Sequence, residues 1–480
     1  MPRRVRAAAP VAVAAIVAVA AIAFHASAQA PASATAAEAA TARHFTTLRT
    51  QHDQLQAFLR EMPKGGDLHV HLSGAVYAES YLQWASDAGL CLVTTTMALA
   101  QPPCDAPAGR PAVSSASADA AIYGQVIDAW SMRNWDSARS GRNHFFSTFA
   151  RFNLATARVG DMLAEVVSRA AAEHVSYLEL MLATDGGTAA MRGARAGWNP
   201  DFRRMRDQLV ANGFSAVLAE ARTRLDQAEA RERDALKCGT SEAAAGCAVT
   251  VRYISQVYRA GPPEQVFAQM LSGFEIASGD PRVVSLNLVA PEDDPVAVRD
   301  FSTHMHMLEF LKARYPAVRV TLHAGELARG LVPAAAMRSH IRDSVRTGHA
   351  ERIGHGVDVM QETNPQALLR ELASKRILIE VALSSNDLIL GIRGKAHPLT
   401  TYLKYGVPVA IATDDPGVAR SSHTLEFVKA VEEQDLDYPT IKRMVRNSLE
   451  YAFADQATKR RLQADLEDAL TAFERRTRNP

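Results

Sequence analysis

Short apolar runs alternate with helical or loop-like stretches along most of the chain. Eight of the runs read as strands: Leu68–Leu72, Val175–Leu182, Val249–Val257, Val283–Ala290, Val318–His323, Arg352–Val357, Ile377–Ser384 and Val407–Thr413. Strands that alternate with helices predict a parallel sheet, because parallel neighbours need a long crossover between them. Eight such units, with polar residues gathered at the strand ends, predict an α/β fold of the (β/α)8 barrel type. Its active site then lies at the C-terminal ends of the strands. The alternative is a doubly wound open sheet, but no Gly-rich nucleotide loop follows the first strand.

Around this frame the periodicity predicts other elements. Phe45, Leu48, Leu55, Phe58, Leu59 and Met62 recur at helical spacing, so one helix is expected from about His44 to Met62, beneath the first strand. Residues 100–120 are Pro, Ala and Ser and read as a loop. Residues 197–247 read as helical and rich in Arg and Glu. The aromatic stretch Trp130–Phe152 reads first as a helical segment packed on the barrel. Its alternative role, together with Tyr77, is a lid that stacks on a base. The chain from Ser422 onward carries helical periodicity and many charges, as a cap on the outside of the barrel would.

Composition adds a compartment and removes one class of partner. The 480 residues are 48% hydrophobic and 22% charged, with a formal net charge of +1 and no long basic run. Nothing in that balance favours nucleic acid. Arg3, Arg4 and Arg6 precede an apolar run from about Ala7 to Phe24, followed by Ala26-Ser27-Ala28. This pattern predicts a signal peptide over 1–28, cleaved after Ala28 or alternatively Ala30, and a mature protein in the periplasm or secreted. An uncleaved anchor is the competing reading, disfavoured by Pro10 and the shortness of the run. A flexible leader is expected over 29–43, and one barrel unit with disulfide-bearing insertions over 44–480. Four cysteines suit an oxidising compartment, and the preferred pairing is Cys91 with Cys104 and Cys238 with Cys247, each closing a short loop.

The candidate chemistry sits at the strand ends. His69 and His71 are two apart in a strand, so their side chains share a face and can reach one ligand. His323 leaves the fifth strand just before Ala324-Gly325-Glu326. His355 lies between Gly354 and Gly356 at the end of the sixth. Asp414 and Asp415 end the eighth, and adjacent buried carboxylates are costly unless a cation or a proton relieves them. His69, His71, His323 and Asp414 form a donor set suited to Zn²⁺, from strands taken to be neighbours on one side of the barrel. A metal there would acidify water into a nucleophile.

The ordered motifs MPKGGDLHVHLSGA, HAGE, RIGHG, LSSN and ATDDP resemble those of the adenosine deaminase family, over roughly residues 60–470. Val445–Phe453 is similar to the helix that follows the barrel in that family. The opening Met62-Pro63-Lys64-Gly65-Gly66, the export signal and the long insertion resemble its secreted, growth-factor-type branch.

The resemblance implies one zinc per chain, held by His69, His71, His323 and Asp414, and attack of metal-bound hydroxide on purine C6. Glu326 would protonate N1. His355 would take the proton of the water or stabilise the hydroxide, and Asp415 would hydrogen-bond the nucleophile or N7. The implied reaction is deamination of adenosine and 2′-deoxyadenosine to inosine and ammonia. Ser385 and Asn386 are expected to orient the site rather than to react.

Two positions depart from the family pattern. Ser73 stands where many members place an Asp that contacts the ribose 5′-hydroxyl. Ala290 stands near the usual glycine whose amide faces the purine, and Glu292 is a further candidate contact. These departures keep open another aminopurine or a 5′-modified nucleoside as substrate. A non-catalytic, secreted nucleoside-binding or signalling protein is the third reading. The expected partner is a small purine nucleoside, with no membrane insertion after signal cleavage, and a homo-oligomer is compatible with the chain. The cytidine-type zinc deaminases are excluded, since no Pro-Cys-x-x-Cys occurs.

Overall fold

Eight parallel strands run in sequence order around one sheet. They are β1 Gly65–His71, β2 Val175–Leu182, β3 Thr250–Tyr258, β4 Val283–Val289, β5 Arg319–Ala324, β6 Arg352–His355, β7 Leu378–Val381 and β8 Val409–Ile411. The computed structural model describes residues 35–137 and 140–478. The export signal expected over 1–28 lies outside the described residues. Each strand pairs with the next in parallel, and Val70 bridges Asp414 to join β1 to the segment just after β8. The expected (β/α)8 barrel is the observed architecture. Strands β5 to β8 are buried almost throughout, as strands covered on both faces must be.

The connecting helices start where the sequence supplies their signals. Pro263–Gly279, between β3 and β4, begins with proline in its first turn, where a missing N–H costs nothing. Pro295–Arg314, between β4 and β5, does the same, and the Asp294 carboxylate caps it by accepting from the Val296 N–H. After β8, helix Tyr438–Glu450 closes the lower end of the barrel. Ser448 Oγ there accepts from the Gly66 N–H at 2.8 Å, and Asn447 Nδ2 donates to the Val409 carbonyl at 2.8 Å. Gly65 has a φ of +67°, and a Cβ on it would lie 2.6 Å from Ser448 Oγ. The glycine pair before the histidines thus seats that helix under β1.

Two N-terminal expectations need correction. The flexible leader does not extend to residue 43, because Thr35 caps a helix at Ala36–Leu48. Thr41 on that helix is fully buried and its hydroxyl lies 2.8 Å from Thr477 Oγ1, so a residue placed in a mobile leader is anchored to the C-terminal helix. Nor does one helix run from His44 to Met62. The chain breaks at the polar residues Arg49, Thr50 and Gln51, which offer nothing to bury, and restarts as His52–Glu61.

The insertions are tied down by the two preferred disulfides. Cys91–Cys104 links an antiparallel hairpin, Cys91–Val93 with Ala98–Ala100, to the following loop. Cys238–Cys247 follows the long helix Ala216–Ala235. The Trp130–Phe152 region is packed on the barrel, the first of its two readings, with the Met132 N–H donating to the Val418 carbonyl. Trp130, Phe145 and Phe152 are buried, and Tyr81 stacks on Phe152 at 4.7 Å. Tyr77 is held between the guanidiniums of Arg169 and Arg420, 4.1 and 5.2 Å from its ring. No helix among the described residues is long and apolar enough to cross a membrane.

Candidate active site

His69 and His71 project from the end of β1 and His323 from β5, while Asp414 follows β8. One donor atom from each lies within 4.8 Å of all the others. His323 Nε2 is 3.0 Å from His69 Nε2 and 3.2 Å from His71 Nε2. Asp414 Oδ1 is 3.5 Å from His69 Nε2 and 3.3 Å from His71 Nε2, and it is buried with no hydrogen-bond partner. Three imidazole nitrogens and a bare carboxylate oxygen facing one point are poorly satisfied by one another. Metal–ligand bonds of about 2.0–2.1 Å in a tetrahedral array would set ligands roughly 3.3 Å apart. The spacing fits that array, so these residues are able to hold a divalent cation.

The geometric reason for this meeting differs from the expected one. β1 and β8 are neighbours, but β5 lies across the barrel from them. His323 reaches the others because it points inward at the same end of the axis.

The donors are fixed from behind. His69 Nδ1 lies 2.7 Å from Glu380 Oε2, and His323 Nδ1 lies 2.9 Å from Asn287 Oδ1, so each ring turns its Nε2 inward. Ser385 Oγ donates to Asp414 Oδ2 at 2.6 Å, which leaves Oδ1 free. Glu380 Oε1 is paired at 2.6 Å with Arg352 Nε, and Arg352 also reaches Glu179 at 2.5 Å and packs over Phe453. Ser385 therefore stands where an orienting residue was expected. Glu380 and Arg352 were not anticipated.

A second cluster adjoins the first: Glu326 and His355 with the shared Asp414. His355 Nε2 is 3.8 Å from Glu326 Oε1 and has no hydrogen-bond partner. Burial, then the nearby Asp414 carboxylate, pushes Glu326 well above the usual carboxylate range. Asp415 is raised by the same two causes, and its Oδ1 is also unpartnered. Burial lowers His355 to about 3, so its ring is neutral. His355 and Asp414 hold φ values of +69° and +61°. Such strain costs about 1–3 kcal/mol per residue and gathers where chemistry fixes a side chain. Gly354 has its own steric reason, since a Cβ there would meet the His69 ring at 2.5 Å.

The remaining candidates are placed as follows. Glu292 does not face a substrate. It accepts from the Gly325 and Glu326 N–H groups at 3.2 and 2.8 Å and pairs with His340 at 2.6 Å, and so holds the turn that carries Glu326. Burial opposes its charge, but His340 and Arg259 keep it below the usual range. Ser73 is half-buried in the short helix Leu72–Ala75, and its carbonyl accepts from Tyr81 Oη. Ala290 has a φ of +86°, and its carbonyl accepts from Arg259 Nε at 3.0 Å. Arg259 also donates to the His323 carbonyl at 3.1 Å, which ties the ends of β3, β4 and β5 together. Sequence reasoning missed it. The only signal was an arginine following an apolar strand.

The profile of the family described as Adenosine deaminase matches residues 157–469. The chain belongs to the adenosine deaminase family. An adenosine deaminase of Escherichia coli (strain SE11) is 35% identical over 163 residues, which are 34% of this chain and 46% of that protein. The chain thus spans about half the length of the curated relatives it matches. Among solved structures, the N6-methyl-AMP deaminase of Arabidopsis thaliana superposes with a TM-score of 0.58 at 18% identity, covering 87% of this chain and 99% of the other. An adenine deaminase from Arthrobacter aurescens gives 0.55 at 18% identity, covering 85% and 99%. At such identities the superpositions show the family's fold.

Proposed function

We propose that the chain is a zinc-dependent aminohydrolase that converts adenosine, and 2′-deoxyadenosine, to inosine and ammonia. The observation that carries this reading is the join between two clusters. A donor set fit for a divalent cation shares Asp414 with Glu326, whose carboxyl is pushed well above its usual range, and with a neutral His355. His69, His71, His323 and Asp414 would hold a divalent cation, which would acidify a water at neutral pH. Glu326 gives its proton to purine N1, which draws electrons from C6. Water adds at C6; His355 would bond that oxygen through its Nε2, which no other protein group engages, and Asp415 would bond the oxygen or N7. The C6–N bond then breaks, the amine departs as ammonia with one proton of the water, and the other returns to Glu326 as C6=O forms.

The test loads the purified protein with zinc and follows loss of adenosine absorbance as inosine forms. Glu326→Gln is expected to lower kcat by about 10²–10⁴-fold with zinc content unchanged. Full activity in that variant would refute the assignment.

A second reading, deamination of a larger aminopurine, rests on a cavity of about 470 Å³. Leu327, Val357, Asp358, Met360, Leu390 and His397 line it, on the loops that follow β5, β6 and β7. Leu327 directly follows Glu326 and Val357 lies two residues after His355, so the cavity is a candidate place for a substituent of such a purine. A panel of adenosine, adenine, AMP, N6-methylated and 5′-thioether nucleosides separates the two readings.

We also propose that the protein is exported. Two disulfides in one chain suit a periplasmic or extracellular location. Fractionation of expressing cells tests this, and recovery in the cytoplasm with free thiols would reject it.

A further inference from the structure

Behind His355 runs a hydrogen-bond chain whose direction is set by the backbone. Leu399 begins the helix Leu399–Lys404, and its N–H points at His397 Nδ1, 3.2 Å away. A backbone N–H can only donate, so His397 Nδ1 must be a bare acceptor. The proton of the His397 ring is therefore on Nε2. That nitrogen faces Asn386 Oδ1 at 3.1 Å, which fixes the orientation of the Asn386 amide. Its Nδ2 then faces His355 Nδ1 at 2.9 Å and donates to it. The opposite amide orientation would leave His397 with two acceptor nitrogens and no proton. All three side chains are buried.

We infer that Asn386 and His397 are positioning residues that lock His355 into the tautomer with its proton on Nε2. The Nε2 so protonated is the atom that faces Glu326 and the donor cluster. In the resting state His355 is then a hydrogen-bond donor to the oxygen that attacks C6. It is not the group that first accepts the proton of the water. That proton passes instead to the leaving amine, which departs as ammonia. The role of His355 rests on the proposed deamination, whereas the tautomer does not.

The test uses the full zinc-loaded protein labelled with ¹⁵N-histidine. Two-bond nitrogen–proton correlations read the tautomer of each ring, and His355→Asn and His397→Asn spectra assign the two signals. Both rings are expected to carry Nε2–H, and an Nδ1–H signal from His355 would overturn the inference. Asn386→Asp keeps the shape but offers His355 only an acceptor, so it is expected to draw the proton to Nδ1. With it kcat falls about 100-fold, while KM and zinc content stay within about twofold, a split that loose packing alone would not give. An Asn386→Asp variant with its kcat intact also overturns the inference. A protein with Nε2–H on His355 that deaminates nothing refutes the proposed activity and leaves the tautomer standing.

Discussion

Ala290 is held at a φ of +86°, beside the loop that carries Glu292. A side chain in the left-handed region costs about 1–2 kcal/mol, and glycine escapes that cost while losing some stability through its freer unfolded chain. Ala290→Gly is expected to stabilise the fold by about 1 kcal/mol, seen as a higher melting temperature. An unchanged or lower value would mean that the neighbouring Arg259 contacts already absorb the strain. Gly74 poses the opposite problem. A Cβ there would lie 1.6 Å from Asp415 Oδ1 and 2.4 Å from its Cγ, with no flexible chain end able to give way. Gly74→Ala should displace the Asp415 carboxyl and lower kcat more than tenfold, with zinc bound as before. Equal turnover in the variant would show that the position of Asp415 does not matter to the reaction.

At the scale of elements, β7 contributes through one buried carboxylate. Glu380 lies between Ile379 and Val381, where a strand residue is expected to be apolar, and it supports both His69 and Arg352. Glu380→Gln keeps the shape and removes the charge. It should weaken zinc binding by about 10–100-fold, measured by competition with a chelator. Unaltered affinity would separate Glu380 from the donor set. The loop after β6 carries a different cost. Burial pushes Asp358 up to about 9, and neither of its carboxyl oxygens has a partner. Its folded pKa is raised above the unfolded 3.8, so the folded state binds the extra proton. Stability is therefore full below about pH 4 and is lost progressively as pH rises towards 9. Asp358→Asn should melt at the same temperature as the parent near pH 4 and above it near pH 8. The reverse order would rule out a neutral buried acid.

These elements show which parts of the site can be read from a sequence. His69 and His71 are adjacent on one strand face, and Glu326 lies three residues after His323, so local spacing carries the signal. Glu380 supports a histidine 311 residues away, and His397 acts through Asn386 on a ring 42 residues earlier in the chain. Such partners meet only once the barrel has closed, so no periodicity announces them. The break at Arg49–Gln51 was hidden for a simpler reason. Apolar spacing on either side continues in phase across three polar residues.

For the whole molecule, the order of the strands decides what the metal would do to stability. Every neighbouring pair from β1 to β8 shares a ladder of paired residues, but the closing seam is one bridge. It consists of the His71 N–H donating to the Asp414 carbonyl at 2.8 Å and the Asp414 N–H donating to the His69 carbonyl at 2.9 Å. Thr413 Oγ1 adds a bond to Asp67 at 2.6 Å. Three of the four donors, His69, His71 and Asp414, stand on this seam, and His323 reaches it from the opposite wall. A cation there would staple the barrel where its backbone pairing is thinnest. A ligand present at 100 times its dissociation constant adds about 2.7 kcal/mol. Removing zinc by chelation is therefore expected to lower the melting temperature. Hydrogen–deuterium exchange should then speed up first in residues 67–71 and 412–415, while β3 and β4 stay protected. Re-addition of zinc should restore both. Uniform loosening of all eight strands, or none at all, would show that closure is held by the surrounding helices and not by the metal.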